Sequence, residues 1–185
     1  MPNHVTTKMT VTGPEETLKV FRARHILMLP ENGSQFLFDL NSVIPRPEVL
    51  EGTVSGSGEK ELPQNLKALE ETGYLHWYDW SMEKWGTKWN SYEFRWVLQE
   101  PNKLVFTFQT AWSSPHPVFE KLIELYPQLE FSTMSFDEMW NWACRGRMFD
   151  GRFQVDDVTV SAEMYKSVYG EEPDITPLVG TETIQ

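Results

Sequence analysis

The chain of 185 residues sets 16 lysines and arginines against 27 aspartates and glutamates, a net charge of −11, and is 40% apolar. That length and apolar share allow one good core with room for a sizeable insertion. The charge argues against a general nucleic-acid binder, which needs a basic surface for phosphate, and no run approaches the ~18 consecutive apolar residues of a membrane span. The start, MPNHVTTKMTVTG, lacks the basic-then-apolar pattern of an export signal. A single cysteine, Cys144, forbids an internal disulfide and fits a reducing compartment, so a cytoplasmic location is expected.

His4 to Gly13 is rich in β-branched residues and reads as a first strand. A helix follows over GPEETLKVFRARHILM, with Pro14 in its first turn and Leu18, Phe21, His25 and Met28 on one face. QFLFDL is a short extended piece, and Ile44 to Gly58 reads as a loop. The next helix runs from about Pro63 to Thr72, apolar at Leu62, Leu66 and Leu69, with Gly73 as its cap.

YEFRWVL and KLVFTFQTAW alternate across Pro101-Asn102 and predict a hairpin. Tyr92, Phe94, Trp96 and Leu98 share one face of the first strand, and Leu104, Phe106, Phe108 and Trp112 one face of the second. An odd loop, Glu100-Pro101-Asn102 with Asn102 left-handed, would put Trp96 and Phe106 on the same side. SSPHPVFEKLIELYP is a helix opened by serine caps and prolines, with Phe119, Leu122, Ile123 and Tyr126 inward. LEFSTMSF is a strand, and a second hairpin turns at Asp150-Gly151, the dipeptide of a type I′ turn. Ser161 to Tyr169 is a short helix closed by Gly170, and 171–185 a loose tail.

The order strand, helix, insertion, strand, strand, helix, strand is that of the split βαβ, ferredoxin-like fold. The expectation is a single α+β domain over 1–170, an antiparallel sheet with helices on one face. Its insertion spans about 30–90 and is rich in tryptophan.

MPNHVTTKMTVTG, WYDWSMEKWGTKWN and FTFQTAWSSPHPVFEKLIELYP resemble the YubB-type family, a set of phage- and plasmid-borne proteins of unknown function with a C-terminal ferredoxin-like domain. The resemblance covers most of the chain. It implies a fold and a mobile-element setting, and supplies neither a reaction nor a catalytic residue.

The residues themselves assemble no catalytic set. His4, His25, His76 and His116 lie in four different elements without a second ligand at helical or hairpin spacing, so no metal is expected. His25 reads as a hydrogen-bonded core histidine, and Cys144 as a buried thiol within a strand. SGSGEK lacks the flanking strand and helix of a phosphate loop. Asp137-Glu138 and Asp156-Asp157 would point to opposite faces, and the RGR of Arg145 to Arg147 suits an edge strand. No cofactor is called for.

Tyr74 to Tyr92 holds four of the eight tryptophans. On a helix from about Tyr74 closed by Gly86, the residues Tyr74, Trp77, Tyr78, Ser81 and Trp85 form one stripe, which reads as core. Trp80 and Trp89 fall off it. With Lys88, and with His76 and Asp79 nearby (three apart on a helix face), they are the candidate binding surface. The expected function is that of a non-enzymatic accessory protein of a phage or plasmid that binds a protein partner, inhibition of host defence being one form of this. The alternative is a small-molecule or nucleotide-binding protein, or an enzyme, with its pocket between insertion and sheet. An acidic mimic of nucleic acid is a third reading. Neither nucleic acid nor membrane is expected as a partner.

Overall fold

The structure, a computed structural model, describes residues 3–29 and 35–174. Its elements run β1 (His4–Thr12), α1 (Glu15–His25), β2 (Ile26–Leu29), β3 (Gln35–Phe38), α2 (Pro63–Thr72), α3 (Trp77–Lys84), β4 (Tyr92–Glu100), β5 (Lys103–Ala111), α4 (His116–Leu125), β6 (Glu130–Asp137), β7 (Ala143–Phe149), β8 (Arg152–Val158) and α5 (Ala162–Tyr169). The main sheet has the order β4-β5-β1-β6-β7-β8, and β2 and β3 make a small sheet of their own. β1 is antiparallel to both β5 and β6, and β4 is antiparallel to β5. β4-β5-β1-β6 is therefore the split βαβ core, extended by the β7–β8 hairpin. The expected α+β ferredoxin-like class holds.

The odd residues of β1 and the even residues of β5 face one core, where Met9, Val11, Phe106 and Phe108 pack beneath Phe21 of α1 and Phe119 and Leu122 of α4. One expectation fails here: the helices do not share a face. Phe136, paired with Thr6 on the opposite side of the sheet, packs with Met164 and Val168 of α5.

The β4–β5 turn also differs. Glu100 pairs with Lys103 across only Pro101-Asn102, an even loop, and Asn102 is not left-handed. Trp96 still faces Phe106, ring centroids 5.7 Å apart, because a bulge between Trp96 and Leu98 inserts the odd residue within the strand. The bulge moves Leu98, opposite Val105, off that face, and a second irregularity after Tyr92 does the same to Tyr92, opposite Gln109. The second hairpin is as expected, with Asp150 at φ 50° and Gly151 at φ 71°.

α1 stops at His25 rather than Met28, because Ile26 to Leu29 pair with Gln35 to Phe38; Met28, on that ribbon, is 64% exposed. His25 is indeed a fully buried core residue, its Nδ1 2.7 Å from Ser42 Oγ and its Nε2 2.8 Å from Tyr126 O–H. α2 has the predicted bounds and left-handed Gly73, yet its buried side is Asn65 and Ala68, leaving Leu66 and Leu69 exposed. Asn65 is drawn in because its amide both donates to Val54 O and accepts from Val54 N–H. α4 has no serine cap, since both hydroxyls are engaged elsewhere, Ser113 with Gly86 O and Ser114 with Thr7 and Ser135. Of the expected insertion, 30–34 lie outside the described residues, as does 175–185 of the tail.

Candidate functional site

The insertion is fastened where the sheet ends. Asn90 accepts from Leu40 N–H and donates to Asp39, Ser91 O–H donates to Phe38 O, and Trp85 Nε1–H donates to Ile44 O. Gly86, at φ 75°, closes α3 where a Cβ would lie 2.8 Å from Pro117. The chain then buries Thr87, whose hydroxyl donates to Ala111 O (2.8 Å) and accepts from Ala111 N–H (3.2 Å). Lys88 and Trp112, the residues following each half of this clasp, are thereby brought together.

Lys88 Nζ sits over three rings, 4.7 Å from the centroid of Trp112, 4.9 Å from Trp89 and 5.9 Å from Tyr78. Tyr78 and Trp112 meet edge to face at 6.0 Å. Among the described residues the ammonium makes neither an ion pair nor a hydrogen bond. Trp112 was expected on the core face of its strand. It instead lies beyond the strand end at φ 71° and is 38% exposed, its N–H donating to Asn3 O.

Trp80 departs most from its expected role. It is 4% exposed and packs edge to face on Trp85 at 5.2 Å. α3 starts at Trp77 rather than Tyr74, and the face it buries carries Trp80 and Ser81, with Trp85 buried just past its end. The edge of Trp80 reaches only an open groove of about 940 Å³ within the insertion, lined also by Val49, Lys67, Tyr74 and Lys84. His76 is buried too, capping α3 by accepting from Asp79 N–H at 3.4 Å. Its Nε2 lies 3.5 Å from Asp79 and 3.5 Å from Glu59, so the His–Asp pair does form, with a glutamate the sequence did not suggest. His76 touches the cluster through Tyr78, ring to ring at 6.0 Å.

A second tryptophan at this end of the sheet was not among the candidate binding residues. Trp140, in the β6–β7 turn, has φ 60°, is 37% exposed and stacks on Tyr165 at 5.7 Å. Met139 beside it is 64% exposed. Asn3 and His4, where β1 begins, lie between the two, since Asn3 O accepts from Trp112 N–H and His4 O from Glu138 N–H.

Between the start of α4 and the β7–β8 hairpin runs a cleft of about 310 Å³, lined by Ser114, His116, Trp142, Cys144 and Asp157 and touched by the insertion only at Gly86. Behind it Thr7, Ser114 and Ser135 close a ring of hydroxyl contacts at 2.9 to 3.3 Å. Burial pushes the Cys144 thiol up, which opposes the thiolate a nucleophile needs. Burial also lowers His116, favouring neutral imidazole. Among the described residues no three of His, Cys, Asp and Glu converge as a metal site, and no helix is long and apolar enough to cross a membrane.

Sheet order and topology define a ferredoxin-like α+β protein. Residues 84–173 match the family model described as the ferredoxin-like domain in Api92-like protein. The crystal structure of protein api92 from Yersinia pseudotuberculosis aligns over 87% of this chain and 99% of that chain, with a TM-score of 0.51 and 8% identity, a likeness of fold alone. No curated protein matches.

Proposed function

We propose that this chain is a non-enzymatic accessory protein, of the YubB-type set carried by phages and plasmids, that works in the cytoplasm by binding a protein partner. Inhibition of a host defence component is one form this binding takes. The observation that carries the reading is the pair Trp112 and Trp140. Both are bulky residues in left-handed backbone, both are more than a third exposed, and both lie at one end of the sheet. Left-handed backbone is costly for a large side chain and gathers at functional sites. Tryptophan also dominates the energetic centres of protein interfaces. Lys88, Trp89 and Met139 lie beside them, whereas Trp80 is buried against Trp85.

The test is affinity capture from host-cell lysate with the wild type and with Trp112→Ala/Trp140→Ala. The wild type should retain a defined protein that the folded double variant loses. Equal capture by both would overturn the reading. The cleft at Ser114, His116 and Cys144 supports the second reading, a small-molecule or nucleotide binder. A ligand retained through native mass spectrometry, and lost on His116→Ala, would favour it.

A further inference from the structure

We propose that Tyr78, Trp89 and Trp112 form a cation-binding box, held shut by the chain's own Lys88, whose occupant in a complex is a lysine or arginine side chain of the partner. This rests on the reading above and names the chemistry the partner brings. A ring face attracts a cation, most strongly for tryptophan, and the attraction grows as water is excluded. Here three rings already surround one ammonium at 4.7 to 5.9 Å, two of them perpendicular, so the geometry accommodates a cationic side chain. Lys88 reaches it on a flexible four-carbon stem, with no carboxylate to hold it among the described residues. Such a tether can swing out at small cost. The net charge of −11 draws basic surfaces toward the molecule. Exposed Trp112 forms the wall by which an incoming side chain would enter.

The probe is tetramethylammonium chloride, which fits an aromatic box but makes no hydrogen bond, titrated against tryptophan fluorescence with sodium chloride as the ionic-strength control. Removing the internal competitor with Lys88→Ala should tighten the apparent affinity about tenfold or more over the wild type, and Lys88→Ala/Trp112→Ala should abolish the gain. Equal affinity in wild type and Lys88→Ala, or a gain surviving loss of Trp112, sinks the proposal. A measurement on the unaltered protein guards against misfolded variants. The ε-methylene protons of Lys88 should resonate upfield through ring currents and move toward free lysine as the probe is added. Unshifted resonances would refute the box. No partner protein enters either experiment, so a failed box leaves the capture result standing, and a failed capture leaves the box standing.

Discussion

Acidification should unlock the joint between α1, the insertion and α4 through a single imidazole. Ser42 O–H already donates to Asp39 O at 2.6 Å, so Ser42 Oγ accepts the proton of His25 Nδ1. That leaves His25 Nε2 as the acceptor of the Tyr126 O–H. A proton added at Nε2 takes away the acceptor of the Tyr126 O–H and charges a fully buried ring. Burial, with a smaller contribution from Arg24, accordingly lowers the His25 pKa to about 4 from its ordinary 6.5. Between these values the unfolded chain binds the proton and the folded one does not, so stability falls as pH falls. From pH 7.5 to 4.5 the loss is about 2.5 kcal/mol. Urea unfolding of wild type and His25→Gln across this range isolates it, since the carboxylates common to both cancel. The stability advantage of the wild type should shrink by about that amount. An advantage that stays constant with pH would show that the histidine is not held neutral.

Trp80→Ala should cost ~3–5 kcal/mol in urea unfolding, as large-to-small core changes do, and a loss below about 1 kcal/mol would return Trp80 to the surface. Gly146→Ala should cost about 1–3 kcal/mol, because its Cβ would stand 2.3 Å from the Phe153 ring and 2.6 Å from Thr133 Oγ1; an unchanged melting temperature would contradict the packing of β8 over β7.

Periodicity made the individual strands of the main sheet, α4 and the Asp150-Gly151 turn readable, because each is set by neighbours in sequence. The β4–β5 hairpin shows the limit. Trp96 and Phe106 do share a face, but through a bulge rather than a longer turn, and alternation cannot distinguish where an extra residue is inserted. The buried side of α3 was also misread. α3 turns the side bearing Trp80 and Ser81 to the core instead of the side bearing Trp77 and Tyr78, and a run with aromatic residues on both sides does not choose between them. Lys88 and Trp89 were singled out by composition and do meet, whereas Trp112 and Trp140 were missed. Nothing in residue type marks a tryptophan for left-handed backbone; only the clasp of Thr87 on Ala111 and the turn after Asp137 place them.

The central strand of the sheet comes from the other end of the chain. The ferredoxin-like match begins at residue 84, yet β1, at His4–Thr12, lies between β5 and β6 of the matched part. Cut away, it would leave a gap of two strand spacings, about 10 Å wide, bounded by two bare ladders. The matched segment 84–173 thus takes the middle strand of its own sheet from residues 4–12. The segment looped between the two halves is tied to the same seam, since Phe38 packs on Phe106 and Phe108 of β5, the strand beside β1, at 5.5 and 5.0 Å.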